Sequence, residues 1–182
     1  MTLNELVETL PAYARDLKLN LSSLLTQTEL TEQQTWGTVV ASAVAARNDE
    51  IVRAAVGEAA AHLSPQLIDA AKSAAAIMGM NNIYYRFLHL TTNEKYRTIP
   101  ARLRMNILRS HGVDALDFEL WCTAVSAING CGTCVDSHEK TLREKGVSEE
   151  TIVAAVRIAA VIHALASVLE AEKAVAPVAA IA

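Results

Sequence analysis

The chain has 182 residues and a formal net charge of −4; 52% of its residues are apolar and only 4% aromatic. That length is enough to bury a real core. No run of five or more Lys/Arg occurs, which argues against the electrostatic footprint of a nucleic-acid-binding protein. The apolar share is mostly Ala, Val, Leu and Ile, and Ala is the best helix former, so the composition predicts an all-α fold.

The N-terminal "MTLNELVETLPAYARDLK" carries acidic residues and has neither a basic n-region nor an apolar h-region, so it does not read as a signal peptide. The expected compartment is the cytoplasm, where structural disulfides are rare. "ELVETL" predicts a short helix ending near Pro11, and "PAYARDLKLNLSSLLTQ" opens with Pro at a helix start. Thr31 is the expected N-cap of "LTEQQTWGTVVASAVAAR", and "DEIVRAAVGEAAAHL" follows Asn48. Ser64 and Pro65 open the long "LSPQLIDAAKSAAAIMGMNNIYYRFLHL". Residues 91–117 read as irregular and polar, with Pro100 and "ARLRMNILRS", whose Arg102 and Arg104 could bind an anionic partner but are expected rather on a solvated face. "DALDFELWCTAVSAIN" ends at an Asn-Gly break, and "GTCVDSHEKTLREKG" ends at Gly146. Ser148 and two glutamates open the last helix, which suits its dipole. Its core, "TIVAAVRIAAVIHALASVL", is interrupted by Arg157 and His163 and is expected to be a buried helix or subunit interface rather than a membrane span. His163 is expected to be a core histidine. No useful strand-like alternation appears.

Two segments recur in order at an offset of 84–85 residues: Trp36 and Trp121 head similar stretches, and Ser64/Ser148 and Ile68/Ile152 stand in register. This predicts a duplicated helical unit, roughly 31–90 and 116–175, within one domain spanning 1–182. The first copy has no counterpart to "CGTCVDSHEK", so the chemistry belongs to the second.

If residues up to Asn129 and from Cys131 form an antiparallel helical hairpin, His138 lies level with residue 121 at 1.5 Å per residue, and Glu119 about one turn beyond, within reach. Cys134 and His138 are i, i+4 and share a face. Cys131 sits at a helix start, where free N–H groups and the dipole favour a thiolate. A thiol with a free pKa of about 8.5 needs a base to be a nucleophile at neutral pH, and a carboxylate can orient that base. A second thiol nearby resolves an oxidised first one as a disulfide. Two other readings stay open on these residues. Cys131, Cys134, His138 and Glu119 offer a donor set compatible with zinc or iron, which would make this a metal-binding helical protein. The two cysteines could also be small core hydrophobes. Cys122, beside Trp121, is expected in the core.

The run "DFELWCTAVSAINGCGTCVDSHEKTLREKGV", with its E-x₁₁-C-x₂-C-x₃-H spacing, resembles the signature of the alkyl hydroperoxide reductase D (AhpD) family, the thiol peroxidase branch of the carboxymuconolactone decarboxylase-like, all-helical superfamily. "LPAYARDLKLNLSS", "TWGTVVASA" and "AAAIMGMNNIYYRF" extend the likeness over nearly the whole chain. The resemblance implies an AhpD-like helical fold with an internally duplicated core, and commonly a trimer. It implies that Glu119 and His138 form a proton relay. Cys134 is then the attacking thiolate that becomes the sulfenic acid, and Cys131 the proton donor and resolving thiol, the two closing a disulfide. The implied partners are the peroxiredoxin AhpC and a lipoylated 2-oxoacid dehydrogenase component, with dihydrolipoamide as electron donor and no bound cofactor. Decarboxylase or lactone chemistry, known elsewhere in the superfamily, has no use for a CxxC. One departure stands out: some relatives carry His before the second cysteine, where this chain has Thr133, which cannot titrate near neutrality. The helix dipole alone would favour Cys131 as the more acidic thiol; the resemblance assigns the attack to Cys134.

Overall fold

Short polar side chains start most of the helices. In the computed structural model, which describes residues 1–175, Thr2 and Glu5 form a capping box on α1 (Leu3–Glu8), and Thr31 and Gln34 another on α3 (Glu32–Ala46). Pro11 opens a 3₁₀ turn that runs into α2 (Arg15–Leu25). Asn48 caps α4 (Asp49–Ala59), and Ser64, followed by Pro65, caps α5 (Pro65–Leu90). A 3₁₀ turn at Glu94–Thr98 and the short α6 (Ile107–Ser110) interrupt the otherwise irregular connection to α7 (Ala115–Ile128), which Asp114 caps. Then come α8 (Gly132–Glu144) and α9 (Glu149–Val175), where Ser148 Oγ accepts from the Thr151 N–H. The described residues contain nine α-helices and no strand. The first helix stops at Glu8 rather than reaching Pro11, because Thr9 closes its last turn. Residues 176–182 of the expected 1–182 domain lie outside the described residues.

The centre of the fold is α3, packed against α5, α7 and α9. It is buried on every side from Thr35 to Ala43, as a central helix must be. Its small side chains allow neighbours to approach closely. At Gly37 a Cβ would lie 2.2 Å from two carbons of the Trp121 indole, so only glycine lets α7 seat that ring. Trp121 and Phe118 are both essentially inaccessible, and each such side chain contributes roughly 1.5–3 kcal/mol over leaving it exposed. Asp117, also buried, accepts hydrogen bonds from Gln33 Nε2 at 2.5 Å and Gln34 Nε2 at 2.9 Å, which pins the start of α7 to the start of α3.

By length and composition α9 is long and apolar enough to cross a membrane. It packs against α2, α3, α4 and α7 and supplies ten buried residues to the core, so it is a core helix of this fold. The expected place of His163 needs correction. The residue lies on the outward face of α9 and is exposed, because Ile162 and Leu165 on either side of it take the buried stripe.

Candidate active site

The site is built on the α7–α8 hairpin. Helix α7 ends at Ile128, and Gly130 takes a left-handed φ of 65°, which its missing Cβ permits at no cost. The Gly130 N–H donates to Ala127 O and the Cys131 N–H to Ser126 O, both at 3.1 Å, closing the end of α7 and reversing the chain within two residues. Cys131 is the N-cap of α8 and Cys134 lies in its first turn; their Cα atoms are 5.3 Å apart and a disulfide joins them. Cys131 is fully buried, whereas Cys134 retains slight exposure.

Antiparallel packing brings Glu119 of α7 against His138 of α8, with Nδ1 to Oε2 at 2.6 Å. The pair is largely shielded, the imidazole more so than the carboxylate. The other ring nitrogen, Nε2, faces the Met78 thioether sulfur at 3.3 Å. A cavity of about 330 Å³ opens here, walled by Met78, Tyr85, Met105 and Leu108 and reached by Cys134 and His138. Of the two bonded cysteines, Cys134 is the one that lines it. Thr133 also lines this cavity, with a hydroxyl that adds no titrating group.

From the other side α5 braces the turn. Asn82 Nδ2 donates to Ser126 Oγ at 2.9 Å, Asn129 Nδ2 donates to Asn82 Oδ1 at 2.9 Å, and Arg86 donates to the Asn129 carbonyl. Sequence reasoning did not assign Met78, Asn82 or Ser126 a part. The signal was two consecutive Asn residues inside an Ala-rich helix, since polar groups that deep need partners.

Cys122 stays apart from this chemistry. It is fully buried, and burial, reinforced by the charge of Glu119 one turn away, pushes its thiol well above the usual range. The four side chains that could have served as ligands are engaged otherwise: the two sulfurs bond to each other, and His138 is held between Glu119 and Met78. Among the described residues no group of three or more His, Cys, Asp or Glu is arranged to hold a metal ion.

The sequence model of the Carboxymuconolactone decarboxylase family matches residues 95–177, which takes in α6 to α9 and with them the hairpin. Alkyl hydroperoxide reductase AhpD of Acidobacterium capsulatum is 63% identical over the full length of both chains. The protein of the same name from Solibacter usitatus is 62% identical over 94% of this chain and 97% of its own. That of Rhodospirillum centenum is 55% identical over 96% and 94%. Identity at this level, sustained from the first helix to the last and coinciding with the cysteine hairpin, leaves no room for a different fold: the chain belongs to the AhpD family of alkyl hydroperoxide reductases.

Proposed function

We propose that the protein is an antioxidant thiol–disulfide oxidoreductase that reduces alkyl hydroperoxides through Cys131 and Cys134. The single observation that carries this reading is the cavity: the sulfur partner that lines it, Cys134, shares it with an imidazole already bonded to a carboxylate. In the reduced protein, His138 takes the Cys134 proton while Glu119 orients and charge-balances the ring. The Cys134 thiolate attacks the distal oxygen of the hydroperoxide; the O–O bond breaks, the alkoxide leaves as alcohol with a proton from the relay, and Cys134 becomes the sulfenic acid. Cys131 then attacks that sulfur, water departs, and the disulfide forms. Burial of Cys131 suits a resolving thiol that needs to meet only its neighbour.

The same reading gives the disulfide to dihydrolipoamide for reduction, on a lipoylated 2-oxoacid dehydrogenase component, and makes the peroxiredoxin AhpC the partner that receives the electrons. It places the protein in the cytoplasm as a homotrimer. It also takes residues 31–90 and 116–175 as two copies of one unit; helices of 15, 11 and 26 residues in the first half are followed by 14, 13 and 27 in the second. The test is peroxide consumption with dihydrolipoamide as reductant, with and without a purified peroxiredoxin. Turnover that depends on the dithiol, and rises with the peroxiredoxin, is expected. A protein that consumes no peroxide and reduces no partner disulfide under either condition rejects the reading.

A further inference from the structure

We propose that the rim of the active-site cavity binds a carboxylate, and that the preferred peroxide substrates are amphipathic hydroperoxides with a free acid group, as formed from unesterified fatty acids. The proposal rests on the peroxide-reducing reading of Cys134 and adds the substrate class.

Charge is distributed very unevenly along this chain. Residues 86–109 hold six cations, Arg86, Lys95, Arg97, Arg102, Arg104 and Arg109, against Glu94 alone, a surplus of five in a chain whose net charge is −4. Arg86 is half-buried and is spent on the turn carbonyl of Asn129. The other five are exposed, and among the described residues none of them is in an ion pair, while six cations elsewhere in the chain are. Unneutralised cations gathered beside a low-dielectric cleft raise the local potential for anions.

Their position gives that potential a use. Arg97 lines a depression together with Tyr85 and Thr133, and both of those residues also line the Cys134 cavity, so the two hollows adjoin. Arg104 and Arg109 stand next in sequence to Met105 and Leu108, which wall the cavity itself, so one short segment carries both part of the cavity wall and the surplus charge. In the same segment as Arg97 the large apolar side chains Phe87, Leu90, Tyr96 and Ile99 are exposed, with the Phe87 and Tyr96 rings in contact at 5.2 Å. An apolar cavity, an apolar shelf outside it and a cationic rim together fit one kind of molecule. Its hydroperoxide enters to reach Cys134, its hydrocarbon lies on the cavity wall and shelf, and its carboxylate stays at the solvent edge. A neutral hydroperoxide uses only part of this surface.

The experiment compares linoleic acid hydroperoxide with its methyl ester, at one fixed concentration of dihydrolipoamide, as kcat/KM in the same preparation. At ionic strength of about 0.01 M the acid is expected to be used about three- to tenfold better, what one or two solvent-screened ion contacts supply. Raising the ionic strength to about 1 M shrinks the Debye length to roughly 3 Å and should bring the ratio close to one. In Arg97→Gln/Arg104→Gln/Arg109→Gln the ratio should be near one even at low salt. Because the ratio is internal to each protein, a general loss of activity in the variant does not disturb it. Equal use of acid and ester by the wild type at low salt overturns the proposal. A preference that survives both high salt and the triple substitution also overturns it, since the acid group is then read elsewhere. If the wild type shows no preference and the triple variant loses only peroxiredoxin-supported turnover, the rim docks an acidic protein and not the substrate. A protein that consumes neither hydroperoxide nor a small neutral one fails the underlying peroxidase reading instead, so the two failures are distinguishable.

Discussion

Two sulfurs one helical turn apart have opposite settings. Cys134 reaches the cavity and Cys131 is sealed behind it. Cys134→Ser is therefore expected to abolish peroxide consumption, and Cys131→Ser to stop turnover and to accumulate a mixed disulfide through Cys134; intact-mass measurement after peroxide and donor thiol are added checks both. Cys122 offers the contrast. Burial first, and the neighbouring Glu119 charge second, hold its thiol protonated well past the usual range, so iodoacetamide at pH 8 should leave it unmodified in the folded, reduced protein and label it only on unfolding. The linked stability has a sign. A thiol whose folded pKa lies above its unfolded value of about 8.5 contributes fully below that pH and loses its contribution as pH rises beyond it. Cys122→Ala should accordingly flatten the alkaline fall in stability seen by urea titration. At the relay, His138→Ala is expected to lower the rate at pH 7 by about 10²–10⁴-fold, and Glu119→Ala by less if water can orient the ring. Both losses should shrink as pH approaches the free-thiol range, where solvent base ionises the thiol unaided. Superimposable pH profiles of Cys134 alkylation in the wild type and both variants would remove the pair from thiol activation.

Between helices, the site depends on how α7 is held. Its buried face meets α3 at a contact with no spare volume, where Gly37 lies under the Trp121 indole. Gly37→Ala replaces a glycine inside a helix, which by propensity alone gains up to about 1 kcal/mol. Here the added methyl collides with a ring that is fully buried and has nowhere to go. Overpacking of this kind costs about 1–3 kcal/mol, so the net expectation is destabilisation, measured as a lower urea midpoint with an unchanged slope. Because α7 also carries Glu119, the same variant should loosen the 2.6 Å carboxylate–imidazole contact and lower the rate more than its stability loss explains. Thr133, at the cavity wall, is the opposite case. Thr133→His adds a titrating ring to the cavity wall between the two cysteines, and a rise in turnover near neutrality is the expected outcome.

At the scale of the whole molecule, the outer face of α9 is unusual for a surface. Val153 is 45% exposed, and Val156, Ala159, Ala160 and His163 line a shallow apolar hollow with Ala127 and Ile128 of α7. Small side chains in such a hollow suit close helix–helix contact with another copy. Sedimentation at micromolar concentration is expected to give a mass well above 19.6 kDa, three times that value for a trimer. Val156→Glu, which places a charge in that hollow, should shift the equilibrium toward the monomer. A single species at the monomer mass for the unmodified chain would reject this assembly.

How much of this was legible beforehand follows the range of the forces involved. Helix starts are local: a Ser, Thr or Asn side chain bonds an N–H three residues on, so Thr31, Asn48, Ser64 and Ser148 could be recognised one by one. The CxxC and the position of Glu119 nineteen residues before His138 were equally readable, because a tight Asn-Gly turn between two regular helices makes distance along the chain convert to distance in space. The exposure of His163 was not readable. A helix that is apolar on most sides shows no stripe, and which side meets the core depends on the other helices. The place of Met78 was hidden for the same reason: it lies sixty residues before His138, and only the crossing of α5 over the hairpin sets its sulfur against the imidazole. Composition, caps and motif spacing thus determined the helical class, the helix starts and the nearness of the two cysteines, His138 and Glu119 by themselves. Long-range packing alone decided which cysteine faces the cavity, what holds the second nitrogen of the histidine, and which hollow Arg97 lines, because none of these is a relation between neighbours in the chain.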